Sequence, residues 1–347
     1  VNRTIAVAVS GGVDSMIAAY LLKQEYPQVF GLHFLTGFEP PPAEHSRQAA
    51  QSIGGQLGIP VHVVDLSADF KRNVVDYFSA TYLSGETPNP CVICNPSIKF
   101  GVLLRFAQGL GADCLATGHY AVVRQDPSGR YRLLKAADRR KDQSYFLARL
   151  TQAQLAETRF PLGSLTKADV REVAARGGLK PPATQESQDV CFIKAGSYPE
   201  FIAAMSGRPS EPGLIETTEG DVIGEHQGLH AFTVGQRRGI KCPAAEPYYV
   251  VRLDTARNRL VVGPKKDLLT AECRVAAINW IRPPPKEPLR VNARVRYRTR
   301  ETPATLIPLT EESARLRFDP PQPAVTPGQA AVFYDGDEVL GGGFITK

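Results

Sequence analysis

The apolar positions of the first half come in short unbroken runs separated by stretches of helical period. TIAVAV, Thr4 to Val9, reads as a buried strand; SGGVDS then turns the chain into an apolar-periodic helix reaching Leu22. A second strand (Val29 to Phe34), a helical stretch before Gly58 and a third strand (Val61 to Val64) repeat the alternation, which predicts a parallel sheet flanked by helices. Cys114 to Thr117 reads as another buried strand, ending in a Gly-His turn of the kind that places ligand-binding loops at strand C-termini. KADVREVAARGGL predicts a helix stopped by glycine. After about Ser197 helical period fades and short β-branched runs such as YYVVRL and RLVVG take over. The pattern divides the chain into an α/β module over 1–197 and β-rich modules over 198–275 and 276–347. The proline-rich IRPPPKEP (281–288) reads as a stiff linker or edge, and the alternating ARVRYRTR (293–300) as a strand with one basic face. There is no internal repeat.

Composition narrows the classes. With 43% hydrophobic and 22% charged residues in 347, the chain is an ordinary globular protein rather than a fibrous or disordered one. A formal charge of +6 and a pI near 9.0 favour a polyanionic partner. No stretch approaches the roughly 18 apolar residues of a membrane span and the first residues carry no leader pattern, so the expected location is the cytoplasm, with no membrane partner. Six cysteines in a chain of this length do not make a disulfide framework.

Ser10 to Ser15 carries the first candidate chemistry. Between a buried strand and a helix, its glycines let backbone amides approach an anion while the helix N-terminus favours negative charge, a geometry suited to pyrophosphate. Neither a Walker G-x-x-x-x-G-K-[ST] nor a G-x-G-x-x-G is present. Cys91 and Cys94 sit in TPNPCVICNPSIKF, which the prolines and asparagines mark as a loop, at a spacing that lets both sulfurs face one point. Cys191 lies in a second predicted loop, ESQDVCFI. A thiolate is the competent nucleophile and sulfur carrier. Cys114 reads as a small buried hydrophobe, Cys242 and Cys273 have no partner at metal spacing, and a structural zinc would need more ligands than one C-x-x-C supplies.

SGGVDS matches the PP-loop of the ATP pyrophosphatases. Together with TPNP, CN-x-x-IKF, LATGHY, KDQSYFL, ESQDVCFI, GEHQGLH, VGQRRG, AVTPGQAAVFYDGD and LGGG, it makes the chain resemble, from end to end, the MnmA family of tRNA-specific 2-thiouridylases. The resemblance implies an adenine nucleotide alpha hydrolase-like catalytic domain, a central β-rich tRNA-binding module and a last, barrel-like one. It implies ATP-dependent thiolation of the tRNA wobble uridine, with sulfur delivered by a persulfide carrier protein or another sulfide donor. Ala8, Val9, Ser10, Gly11, Gly12, Val13, Asp14, Ser15, Phe34 and Gly118 would take the nucleotide, with Asp14 helping to hold Mg²⁺. Cys191 would carry the persulfide and Cys94 would act as nucleophile. His119, Lys141, Asp142, Gln143, Arg296, Tyr297 and Gln329 would contact tRNA. Two departures stand out: Cys91 replaces the aspartate of many relatives, and GLHFLTGFEP replaces their Met-Lys-rich run. The first opens an alternative in which Cys91, Cys94 and Cys191 hold an iron–sulfur cluster with one iron left to bind sulfide. A PP-loop synthetase and a catalytically silent tRNA-binding module are the competing functions.

Overall fold

The computed structural model describes residues 3–39, 44–182, 190–193, 197–207, 210–243 and 245–346. Among these, β1 (Thr4–Ala8), β2 (Gln28–Leu35), β3 (Val61–Asp65) and β4 (Cys114–Ala116) belong to the first sheet. A hairpin of β5 (Ala121–Gln125) and β6 (Tyr131–Lys135) leaves it, and β7 (Thr158–Arg159) completes it. The sheet is parallel, in the order β3–β2–β1–β4–β7. β1 is central, and both its faces are covered, which is why its sequence is apolar without alternation. Ile5 and Val7 pack under the helices Val13–Glu25, Glu44–Leu57 and Lys167–Arg176, while Ala6 and Ala8 face the opposite layer with Phe70, Phe78 and Phe100. The chain leaves β1 toward β2 on one side while β4 lies on the other, so a crevice opens between the loops that follow β1 and β4.

The central module is a four-stranded sheet of β8 (Gly213–Thr217), β9 (Val222–His226), β10 (Tyr249–Asp254) and β11 (Arg259–Gly263), in the order β10–β11–β8–β9. The helix Tyr198–Ser206 that precedes it packs on the first module, Tyr198 stacking on Tyr82 with ring centroids 4.9 Å apart. The last module comprises β12 (Leu269–Trp280), β13 (Leu289–Arg294), β14 (Thr302–Thr310), β15 (Ser313–Pro323), β16 (Ala330–Asp335) and β17 (Glu338–Thr346). It closes as a barrel because β12 pairs with both β15 and β17. The β5–β6 hairpin extends this barrel's sheet: Leu134 is in register with Glu338, and Lys135 N donates to Asp337 O at 2.9 Å. Leu133, Tyr145 and Leu147 of the first module share one core with Ile281, Val332, Tyr334 and Val339 of the barrel.

Three local expectations change. TPNPCVIC is helical from Pro90, a residue suited to a first helical turn because its missing N–H has no intrahelical partner to lose there. The helix continues in π form over Asn95–Leu103. IRPPPKEP links no modules; it joins β12 to β13 within the barrel, and β12 runs through position 275. The basic ARVRYRTR strand stops at Arg294, after which the chain turns so that Arg296 points inward.

Candidate functional site

The loop after β1 is held by its own serines. Gly11, at φ +93°, takes the left-handed turn that leads into the helix. Ser10 N donates to Ser15 Oγ at 3.1 Å, and the Ser15 hydroxyl donates to Gly12 O at 3.0 Å. No side chain caps the helix at Gly12, so its first-turn amides keep the anion-seeking character of a helix N-terminus. Ala8 and Val9 are buried beneath the loop, Val13 is half-buried, and Phe34 is half-buried at the end of the neighbouring β2. From the other wall of the crevice, Gly118 lies on the loop so closely that a Cβ there would sit 2.7 Å from Asp14 C and from Ser15 N. The residues fit a nucleotide phosphate cradle.

Asp14 does not fit Mg²⁺ as read from the sequence. Its Oδ1 accepts from Tyr120 Oη at 2.8 Å and from Lys167 Nζ at 2.7 Å, and its Oδ2 accepts from the same ammonium at 2.8 Å. Both oxygens already face positive charge. Tyr120 closes the LATGHY stretch and Lys167 opens the KADVREVAARGGL helix, but nothing in either stretch marks it as a partner of Asp14. The available signal was Lys167 at the first position of its helix, where a cation opposes the helix dipole.

Cys91 and Cys94 stand three residues apart on a helix and so share a face. The first is exposed and the second half-buried, and Cys191 is exposed. Burial of their surroundings pushes the Cys91 thiol up to about 11 and the Cys94 thiol up to about 12; Cys191 adds to both, while the Lys99 ammonium opposes the rise. Cys191 is fixed through Phe192, which is buried in an aromatic cluster with Phe38, Phe70, Phe78 and Phe201. Phe38 belongs to the departing segment GLHFLTGFEP, which thus buttresses the sulfur site. Among the described residues no group of three or more His, Cys, Asp or Glu side chains is placed to hold a metal ion.

His119 is buried between the two centres. Its Nδ1 lies 2.7 Å from Thr117 Oγ1 and its Nε2 3.4 Å from Lys99 Nζ, and desolvation, aided by that ammonium, keeps the ring neutral. Asp142 is buried and accepts from Ala136 N, Ser144 N and the Ser144 hydroxyl; Gln143 Oε1 accepts from Tyr120 N; Lys141 is half-buried beside them. Tyr297 packs on Phe146 with centroids 4.3 Å apart. Gln329 donates to Thr87 O at 3.1 Å and Pro88 O at 2.9 Å, clasping the segment that leads into the cysteine helix. Arg139, Arg140, Arg298 and Arg300 line an open basic recess beside Tyr297.

Arg296 Nη2 donates to Val234 O at 2.8 Å and to Thr326 Oγ1 at 2.7 Å, tying the central module to the barrel. Arg296→Ala is expected to lower folding stability by roughly 2–3 kcal/mol, as for lost hydrogen bonds of a charged group. It should leave the salt dependence of tRNA binding nearly unchanged, whereas Arg298→Ala, at an exposed position, should flatten that slope by about 0.7–0.9. Thermal unfolding and salt-titrated filter binding check both.

Residues 3–195 match the family model described as tRNA methyl transferase HUP domain, residues 200–264 its PRC-barrel domain, and residues 270–345 an aminomethyltransferase beta-barrel domain. The tRNA-specific 2-thiouridylase MnmA of Desulfosudis oleivorans is 54% identical over 99% of this chain and 95% of its own length. The chain belongs to the tRNA-specific 2-thiouridylase family. Further relatives named tRNA-specific 2-thiouridylase MnmA, from Syntrophotalea carbinolica and a Synechococcus strain, are 47% and 48% identical over 99% of this chain, covering 99% and 94% of their own lengths. In this 2-thiouridylase Gly118 lies against the loop at Asp14 and Ser15, and the neighbouring His119 approaches Lys99, whose charge acts on the Cys94 thiol. No helix among the described residues is long and apolar enough to cross a membrane.

Proposed function

We propose that the chain makes 2-thiouridine at the wobble position of tRNA, using ATP to adenylate the uracil C2 oxygen and transferring sulfur through Cys191 and Cys94. What supports this reading is that the Lys99 ammonium, 3.4 Å from the buried His119, acts electrostatically on the Cys94 thiol, while the adjoining Gly118 rests on Asp14 and Ser15. A base held beside Cys94 therefore shares a crevice with the nucleotide.

The uracil oxygen is a poor leaving group, so the reaction divides into easier steps. Attack of that oxygen on the α-phosphate releases pyrophosphate. The terminal sulfur of a Cys191 persulfide adds at C2 and AMP leaves. The Cys94 thiolate then attacks the Cys191 sulfur, the bond to the base sulfur breaks with its electron pair going to the base, and a Cys94–Cys191 disulfide remains. A thiol reductant restores the two cysteines, and a persulfide-bearing carrier protein reloads Cys191. In this scheme the α/β module activates the base, the two β modules and the basic recess grip the tRNA, and the work is done in the cytoplasm.

Iron-free protein given ATP, a persulfide donor and unmodified tRNA is expected to form 2-thiouridine, AMP and pyrophosphate in equal amounts, measured by nucleoside mass spectrometry. Product that requires iron and free sulfide would replace the relay with a cluster on Cys91, Cys94 and Cys191. Absence of product under either condition would exclude thiolation and return the chain to the PP-loop synthetases.

A further inference from the structure

The carboxylate of Asp14 stands in the first turn of the phosphate-loop helix, where a nucleotide would bring several negative charges. An acid there repels the ligand unless a cation neutralises it. Lys167 arrives from a different helix, with its side chain only 9% exposed, and places its ammonium on both oxygens of Asp14. Its backbone is anchored as well: Lys167 N donates to Asp138 Oδ2 at 3.0 Å, and Thr166 and Asp169 close a capping box around the helix start. Tyr120 Oη holds Asp14 Oδ1 from a third direction. The cation is thus built into the fold by elements that meet only in the tertiary structure.

We propose that Lys167 is the resident counter-cation of the phosphate loop: its ammonium takes the place at Asp14 that a divalent ion would otherwise occupy, making Lys167 a positioning residue for nucleotide and letting nucleotide bind without a divalent ion. The proposal rests on the reading of SGGVDS as a nucleotide site. It follows from the paired geometry at Asp14, and it assigns a task to a helix whose sequence otherwise reads as packing.

The test is calorimetric binding of α,β-methylene-ATP to the full chain, with EDTA or with Mg²⁺, and uses neither tRNA nor a sulfur donor. In wild type the affinity at Asp14 needs no divalent ion, so the two conditions should differ by no more than about threefold. Lys167→Met should lose about 10- to 100-fold in EDTA, the scale of a charge-assisted contact. Mg²⁺ should restore most of that loss, because the vacated oxygens of Asp14 become available to it. Lys167→Arg should retain wild-type behaviour. Adding Asp14→Asn to Lys167→Met should recover binding in EDTA and abolish the rescue by Mg²⁺. Equal losses with and without Mg²⁺ in a Lys167→Met protein of wild-type melting temperature would overturn the proposal, as would a Mg²⁺-dependent wild type. If Lys167→Met does not fold, the wild-type comparison and Lys167→Arg still decide. A wild type that binds no adenine nucleotide would overturn both this inference and the nucleotide site beneath it, whereas nucleotide binding without thiolation would remove only the proposed reaction.

Discussion

Cys191→Ser is expected to abolish 2-thiouridine formation, by at least about 10³-fold, while ATP binding and tRNA binding stay near wild type. The loss is large because a hydroxyl cannot carry a persulfide, so no weaker version of the step survives. Without added reductant Cys94→Ser should be equally inactive, and the double variant no worse than either, since the two thiols act as a unit. In Cys94→Ser the base sulfur should remain attached to Cys191, giving a protein–tRNA adduct released by dithiothreitol. Cys91→Ser should retain most of the activity, a result that a cluster on three cysteines would not allow. The raised Cys94 thiol adds a pH signature. With its ionisation pushed up to about 12, only a trace is thiolate at neutral pH, so alkylation of Cys94 in the resting protein should quicken about tenfold per pH unit from 7 upward and level off near 12. Product analysis and thiol mapping by mass spectrometry check these outcomes.

Gly118→Ala should lower nucleotide affinity by about 100-fold or more. One methyl group has this effect because of what it would meet: Asp14 C and O and Ser15 N, at 2.7, 2.9 and 2.7 Å, are backbone atoms with no side chain that can swing aside. Either the turn after β4 or the first turn of the phosphate-loop helix must move, and both line the crevice. Overpacking of this kind costs about 1–3 kcal/mol where the structure can give, and more where it cannot. Binding of α,β-methylene-ATP measures the effect, and unchanged tRNA retention shows that the β modules are intact.

Much of this architecture is legible in the sequence where local pattern and tertiary environment agree. A parallel strand covered on both faces must be apolar throughout, so TIAVAV announces β1 without help from elsewhere. The phosphate loop is equally plain, because its serines and glycines serve contacts within six residues. The cysteine segment misleads for a physical reason: prolines and asparagines signal a loop, yet Pro90 is tolerated as the first residue of a helix and Asn95 donates its side-chain amide to Phe146 O. Arg296 misleads in another way. Its alternation with Arg294 and Arg298 suggests a solvated face, but its guanidinium satisfies a carbonyl of the central module, a partner 62 residues away that no local period records. Lys167 and Tyr120 escape for the same reason, since Asp14, which both serve, is 153 and 106 residues distant. The approach of Lys99 to His119, 20 residues on, is likewise recorded by no local pattern.

The hairpin that carries β6 onto the barrel's last strand has a bearing on how this enzyme could have been assembled. Arg130 and Arg132 of that hairpin both pair with Glu338, a buried carboxylate of β17, and Asn279 of the barrel donates to Ala148 O and Leu150 O of the first module. A gene fragment ending before the barrel would encode a protein with a naked strand edge, an Arg132 stripped of Glu338, an Arg130 left with Asp126 alone, and an apolar wound where Val332, Tyr334 and Val339 belong. The modules look separable along the chain and are inseparable in space, so exchange of one for a foreign counterpart would have to bring its docking partner with it.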